Sequence, residues 1–141
     1  MSKGQSKRLI SILIPYRRDG NRFLVFLQKR SKDAKRLPDF FGFFGGGAEN
    51  GENPEEALKR EIMEEISFVP SGYAYLKEYD FPRSIKSIYY LEVGDQFEKQ
   101  IEVKEGEYGK YFTENEALSE PRLIEEDKVV LRDLFDKLRA G

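Results

Sequence analysis

The chain has 141 residues, which suits one domain of ordinary size, predicted to span residues 1–141. Its formal net charge of −2 gives no overall attraction to polymeric nucleic acid or to an anionic membrane, so neither is an expected partner. Cysteine and histidine are absent, which excludes disulfides, thiolate or imidazole metal ligands, and catalysis by a Ser-His or Cys-His pair.

Two β-rich segments open the chain. Residues 8–16 and 22–29 are dominated by branched and aromatic side chains, and Asp19-Gly20-Asn21 between them is typical of a hairpin turn. Residues 30–39 contain four cationic side chains and a proline, which predict an exposed basic loop. The first third of the chain should therefore be a hairpin followed by a basic connection.

The strongest helix signal follows a run of three glycines. Residues 40–44 predict a short aromatic strand, and the glycines at 45–47 predict a sharp turn. Asn53 is placed to cap a helix with a proline at its first position, and Glu56 completes a capping box. This helix should run to about Ile66.

The second half of the chain predicts further strands and two helical segments. The strands are expected at 73–80, 85–93, 97–103 and 107–112. Thr113 with Glu116 predicts a capped helical turn, and apolar residues at helical spacing predict a last helix that runs up to Gly141. This order of strands and helices favours a mixed sheet covered by helices.

Three glutamates lie beside the apolar stripe of the first predicted helix. Glu61, Glu64 and Glu65 are spaced i, i+3 and i+4, so they share one face and repel one another. A cation would remove that repulsion, and clustered carboxylates suit Mg²⁺, with Mn²⁺ as an alternative. The alternative interpretation is a set of ordinary solvated glutamates on a helix surface.

A longer spaced pattern surrounds these glutamates. In chain order it consists of Gly46, Glu52, Arg60-Glu61-Ile62, Glu64-Glu65 and Phe68. This pattern resembles the Nudix box, and the chain resembles the small, MutT-like members of the Nudix hydrolase family, closely over residues 46–68 and loosely over nearly its whole length. Two positions depart from the family pattern: Ser67 stands where a glycine is usual, and Phe44 stands where many members have proline.

The resemblance implies a fold and a metal site. The fold would be α/β, a Nudix-type α/β/α sandwich whose mixed β-sheet has the box helix on one side and the C-terminal helix on the other. Divalent cations would be bound by Glu61, Glu64 and Glu65, with the carbonyl of Gly45 as a further ligand. Arg60 would hold these glutamates by charge-assisted hydrogen bonds, and Glu52 would anchor the loop or bind metal at longer range.

The implied reaction is the hydrolysis of a pyrophosphate bond in a nucleotide. A carboxylate must accept a proton from the attacking water, and we favour a residue of the box, Glu61 or Glu64. Glu105 and Glu107 are alternatives in a loop-like segment, where plain surface charge is the simpler interpretation.

Substrate contacts are predicted outside the box. The candidates for phosphate or other substrate binding are Arg30, Arg83, Lys86 and Glu105, and those for base stacking are Phe44, Tyr79 and Phe81.

Several substrate classes fit the resemblance. Nucleoside triphosphates lead slightly, ahead of ADP-ribose or nucleotide sugars and of dinucleoside polyphosphates. A non-catalytic nucleotide-sensing module is a further alternative, although such modules usually lack a box glutamate and this chain has all of them. The expected partner is a small nucleotide, and a homodimer is left open. Because no apolar run reaches the roughly 18 residues that cross a bilayer, a cytoplasmic protein is expected.

Overall fold

The computed structural model describes residues 7–141. The strands are β1 (Arg8–Asp19), β2 (Arg22–Lys29), β3 (Phe41–Gly42), β4 (Phe44–Gly47), β5 (Ala74–Asp80), β6 (Ser84–Glu92) and β7 (Tyr108–Thr113). The helices are α1 (Pro54–Ile66), α2 (Phe97–Gln100), α3 (Glu114–Ser119) and α4 (Glu125–Ala140). Within the described residues, no helix combines the length and the apolar character needed to cross a bilayer.

The long strand β1 organises one mixed sheet. It pairs in parallel with β6 from Arg8 to Tyr16, and β5 continues the sheet antiparallel to β6. On its other edge, β1 pairs antiparallel first with the glycine-rich β4 and then with β2. The hairpin turn between β1 and β2 confirms the prediction, and Gly20 supplies its positive φ of 64°. Strand β4 is thereby fixed beside β1, directly before the loop that leads into α1.

The two faces of the sheet bury separate apolar clusters. Alternation along β1 sends Leu13 to one face, and Ile12 and Ile14 to the other. The cluster that contains Leu13 packs against Leu58 and Ile62 of α1, and the cluster that contains Ile12 and Ile14 packs against α4. The predicted α/β/α sandwich, with α1 and α4 on opposite sides of a mixed sheet, is confirmed.

Helix α1 begins and ends at the predicted residues. The side chain of Asn53 accepts from the Glu56 N–H at 2.9 Å, and the Glu56 carboxylate accepts from the Asn53 N–H at 2.9 Å. The helix ends at Ser67, whose backbone is left-handed with a φ of 54° and a ψ of 42°. A non-glycine residue is strained in this conformation because its Cβ approaches the backbone.

Replacing Ser67 with glycine is therefore expected to raise the free energy of unfolding by up to about 1 kcal/mol. The substitution removes the strain of a Cβ in the left-handed conformation, and the larger conformational entropy of glycine in the unfolded chain offsets part of that gain. Chemical denaturation of the variant and of the wild type measures the difference. Ser67→Ala retains the Cβ and serves as the control, which should not stabilise. Equal stability of Ser67→Gly and Ser67→Ala would contradict the strain.

The structure corrects two predicted elements. The glycines at 45–47 do not form a sharp turn, because they are paired with β1 as part of β4. Glycine permits this close pairing at position 45, where a Cβ would lie 2.0 Å from the Ser11 carbonyl oxygen. Residues 97–103 do not form a strand either. They begin with the short helix α2, because the Phe97 ring packs edge-on against Phe26 and Phe68 with centroids 5.6 and 5.2 Å away.

Candidate active site

The glycine strand and helix α1 are joined by a buried carboxyl. Glu65 is only 6% exposed, and its Oε1 accepts from the Gly45 N–H at 2.8 Å. Burial raises the pKa of Glu65 to about 8. The next glycine has a steric role, since a Cβ on Gly46 would lie 2.4 Å from the Glu61 carboxyl. Glu61 and Glu65, one helical turn apart, are thus packed directly against the backbone of glycines that have no side chain.

Arg60 connects the loop before α1 to the glutamates on the helix. Its Nε and Nη2 donate to both oxygens of Glu52 at 2.7 and 3.0 Å, and Nη2 also donates to the Gly47 carbonyl at 2.9 Å. Its Nη1 donates to Glu61 at 3.0 Å and to Glu64 at 3.3 Å. These bonds lower the pKa of Glu52 to about 2 and raise the pKa of Arg60.

A third acid reaches the pair Glu61 and Glu65 from the other half of the chain. The Lys104 N–H donates to the Glu65 carbonyl oxygen at 2.9 Å, which fixes the segment before β7 against the end of α1. The next residue is Glu105, whose negative charge adds to burial in raising the pKa of Glu65 and of Glu61. Glu61, Glu65 and Glu105 are called the acidic centre below.

The raised pKa of Glu65 predicts a pH dependence of stability. Because its pKa is about 8 in the folded chain against an ordinary 4.5, the fold favours the protonated form. Its contribution to stability is fully present below pH 4.5 and is lost as the pH rises through 8. Glu65→Gln stays neutral and still offers an oxygen to Gly45, so we expect its stability relative to wild type to increase between pH 5 and pH 8. Urea denaturation without divalent cations measures this difference, and a constant difference across the range would contradict the burial argument.

A cleft of about 480 Å³ opens beside the glycine strand, on the face of the sheet that α4 covers. Its lining includes Gly45 and Gly46, and the aromatic residues Phe41 and Phe43. Six cationic side chains also line it: Arg8, Arg30, Lys35, Arg36, Arg83 and Lys86. A chain with a net charge of −2 therefore gathers positive charge in this cleft. Another cavity, of about 300 Å³ beside Arg22 and Arg139, is lined by no residue of the acidic centre.

Arg30 lines the cleft and its charge acts on the acidic centre. Its Nε donates to the carbonyl of Arg36, another residue of the cleft lining, at 2.9 Å. Its charge also acts on Glu65, where it lowers the pKa against the larger effect of burial. The basic cleft and the acidic centre are therefore adjacent.

Most of the residues predicted to contact substrate lie at the cleft or at the acidic centre, but not all of them do. Arg30, Arg83 and Lys86 all line the cleft, and Glu105 lies at the acidic centre. Glu107 is directed elsewhere, with its carboxylate 3.9 Å from the ammonium of Lys29.

The proposed stacking residues need correction. Phe44 is fully buried beneath α1 and stacks on Phe26 with centroids 5.7 Å apart, so its ring cannot meet a base. Tyr79 is also buried, donates to Asp133 at 2.6 Å and stacks on Phe81. Phe41 and Phe43, which sequence reasoning missed, also line the cleft.

The donor set fits a hard divalent cation in its chemistry. Burial and mutual repulsion disfavour the charged forms of Glu61 and Glu65, and Mg²⁺ prefers carboxylate oxygens as ligands. Among residues 7–141, however, no three acidic side chains are already arranged to hold an ion. Glu64 is 52% exposed and accepts from Arg60, so its carboxylate is more open to solvent than that of Glu65.

Comparison with known proteins gives the family. The NUDIX domain model matches residues 7–134, nearly the whole chain. The chain belongs to the Nudix family. This Nudix hydrolase is 31% identical over 91 residues to the 8-oxo-dGTP diphosphatase of Escherichia coli K12, a match that covers 63% of the chain and 69% of that relative.

Solved structures of other Nudix proteins share its fold. The NUDIX domain of Shewanella oneidensis NrtR, crystallised with ADP ribose, superposes with a TM-score of 0.75 at 16% identity, covering 96% of this chain and 90% of that one. A MutT/nudix family protein from Enterococcus faecalis superposes with a TM-score of 0.65 at 15% identity over 80% of this Nudix hydrolase. The chain spans 46% of the length of that protein.

Proposed function

We propose that this Nudix hydrolase cleaves a pyrophosphate bond in a nucleoside triphosphate, with Mg²⁺ or Mn²⁺ as the cofactor, and releases a nucleoside monophosphate and pyrophosphate. The observation that supports this most directly is the contact between Gly45 and Glu65, because it joins the acidic centre to a cleft lined by six cations. The carboxylates can bind a metal ion, and the adjacent basic side chains can bind phosphate oxygens. A polyphosphate chain bound across both regions would contact the metal ion and the basic side chains together.

The residues that would hold the cation are Glu61 and Glu65, with the carbonyl of Gly45 and with Glu64 or Glu105 drawn toward it. Once bound, Mg²⁺ supplies neutralisation of the phosphate oxygens and activation of a water molecule. Arg60 contributes by fixing Glu61 and by neutralising part of the charge on Glu64.

Two box residues compete for the proton of the attacking water. Glu61 is half-buried against Gly46 and oriented by Arg60, whereas Glu64 is largely exposed to solvent. We assign proton acceptance to Glu61, because a fixed carboxylate is more effective than a mobile one. Glu64 remains the second candidate.

The cleft would bind the rest of the substrate. Arg30 and Arg83 both line the cleft, and the charge of Arg30 acts on Glu65, so both are candidates to bind phosphate oxygens. Phe43 and Phe41 offer apolar surface to the nucleoside.

A nucleoside triphosphate is supported by the relative from Escherichia coli, named for its action on 8-oxo-dGTP. ADP-ribose is the second candidate, because the Shewanella oneidensis domain with the same fold was crystallised with that nucleotide. Dinucleoside polyphosphates remain a third class, and a module that only binds nucleotides remains the non-catalytic alternative.

A hydrolysis panel separates these substrates by their products. Wild-type protein with Mg²⁺ is incubated with nucleoside triphosphates, ADP-ribose and a dinucleoside polyphosphate, and the products are resolved by ion-exchange chromatography. The proposal expects pyrophosphate and a monophosphate from a triphosphate at the highest kcat/KM. Faster release of two monophosphates from ADP-ribose would replace the proposed substrate, and background turnover of every compound would favour a binding module.

A further inference from the structure

The first residue of β1 places a cation in the lining of the cleft. Arg8 is exposed, and its N–H donates to the carbonyl oxygen of Arg83 at 3.3 Å. A Cβ on Gly47 would lie 2.7 Å from Nη2 of Arg8, well inside the roughly 3.5–4.0 Å at which non-bonded heavy atoms pack best. The guanidinium therefore lies directly on the backbone of Gly47, in the space that any larger residue would fill.

The guanidinium of Arg8 has no acidic partner within residues 7–141. Four acids of α1 and of the loop before it form ion pairs with Arg60 instead: Glu49, Glu52, Glu61 and Glu64. The two acids of the cleft lining form ion pairs with Lys86: Glu126 and Asp127. The charge of Arg8 is thus not neutralised by a carboxylate, and its planar set of N–H donors matches the oxygens of a phosphate group.

Arg8 and the acidic centre lie on opposite faces of β4. A Cβ on Gly46 would lie 2.4 Å from the Glu61 carboxyl, whereas the next residue, Gly47, faces Arg8. Successive residues of a strand face opposite sides of the sheet. Among the described strands, β4 pairs with β1 alone, so its other edge carries no strand. A chain of phosphates that crosses this edge passes from Arg8 to Glu61 over the width of one strand, roughly 4.8 Å.

We propose that Arg8 binds a phosphate group of the substrate where the polyphosphate chain passes from the cleft to the acidic centre, with its guanidinium supported by Gly47. This assignment rests on the proposed function, which places a polyphosphate chain across both regions. Arg8 takes no part in proton transfer. It binds the chain on the cleft side of β4, and Glu61 meets the chain on the other side. The glycine at position 47 is required because a side chain there would displace the guanidinium.

Binding of inorganic tripolyphosphate tests the role of Arg8 without a nucleoside, a metal ion or a reaction. The anion is titrated calorimetrically in EDTA into wild type, Arg8→Ala and the control Arg132→Ala, which removes the charge of an exposed arginine on α4. We expect Arg8→Ala to bind about tenfold more weakly or worse, since hydrogen bonds between two charged groups are lost, and Arg132→Ala to bind like wild type. Equal affinities in all three proteins, or no binding to wild type, would overturn the proposal.

Gly47→Ala tests whether the glycine supports the guanidinium. The added Cβ must displace Arg8, so we expect weaker binding of tripolyphosphate than in wild type. In the double variant with Arg8→Ala, the change at Gly47 should cause no further loss, because the group that it displaces is absent. Independent losses that add in the double variant would overturn the role of Gly47. Circular dichroism establishes that the variants fold, and Arg8→Ala with its control decides the role of Arg8 even if Gly47→Ala does not fold.

The hydrolysis panel keeps this assignment and the proposed function separable. We expect Arg8→Ala to lower kcat/KM for the best triphosphate about tenfold or more, and Arg132→Ala to retain the wild-type value. If tripolyphosphate binding depends on Arg8 but no nucleotide is hydrolysed, the proposed reaction fails while the role of Arg8 stands. If wild type and Arg8→Ala release pyrophosphate with equal kcat/KM, the role of Arg8 fails while the reaction stands.

Discussion

Glu65→Gln should lower kcat/KM for the best triphosphate in the panel by a hundredfold to a thousandfold, on the order of what is lost when one preorganised polar group is removed from an active site. The glutamine retains an oxygen for the Gly45 N–H, so the contact between β4 and α1 persists. The variant loses the negative charge that a bound cation requires. Steady-state release of pyrophosphate in Mg²⁺ measures the effect.

The control for this substitution is Glu55→Gln on the same helix. Glu55 accepts from the Tyr73 hydroxyl at 2.6 Å and takes no part in the acidic centre, so its turnover should stay near that of wild type. Wild-type turnover in Glu65→Gln, or an equal loss in both variants, would contradict a specific role for the Glu65 carboxylate.

Arg60→Ala should lower both stability and turnover. The substitution removes the donors to Glu52, Glu61 and the Gly47 carbonyl together, and leaves clustered acids uncompensated. We expect the free energy of unfolding to fall by about 2–3 kcal/mol, the range for breaking partly buried charge-assisted hydrogen bonds. Turnover should fall about a hundredfold, since Glu61 loses its orienting partner.

Arg60→Lys distinguishes charge from geometry. An ammonium retains the positive charge but cannot donate to Glu52 and Glu61 in the planar arrangement of a guanidinium. We expect stability and turnover intermediate between those of wild type and Arg60→Ala. Chemical denaturation measures the stability, and pyrophosphate release measures the turnover. If Arg60→Ala unfolds and turns over like wild type, Arg60 does not organise the site.

The sequence predicted best where the structure depends on local signals. The capping box of Asn53 and Glu56, the proline at the start of α1 and the turn at Gly20 depend on neighbours within a few residues. The family pattern usually has a glycine where this chain has Ser67, and the left-handed backbone at that position is one that glycine adopts without strain. The family pattern added the arrangement of layers, which local signals alone leave open.

The sequence predicted less well where tertiary packing decides. Three consecutive glycines are typical of a turn, but here they permit close approach of β4 to the Ser11 backbone and to Glu61. Phe43 and Phe44 are chemically equal neighbours, yet Phe43 belongs to the cluster on the α4 side of the sheet and Phe44 to the cluster beneath α1. Glu105 is placed beside α1 because the backbone N–H of its neighbour Lys104 bonds the carbonyl of Glu65, about forty residues earlier in the chain. No local sequence pattern predicts a contact over that separation.

Calorimetric titration of Mg²⁺ and Mn²⁺ tests the central role of the acidic centre most directly. The ions are added to wild type and to Glu65→Gln, each alone and with a non-hydrolysable triphosphate. We predict binding to wild type that strengthens with the nucleotide, and a loss of about tenfold or more in affinity in the variant. Absence of binding heat in wild type with and without the nucleotide, or equal affinity in the variant, would contradict a cation held by these glutamates.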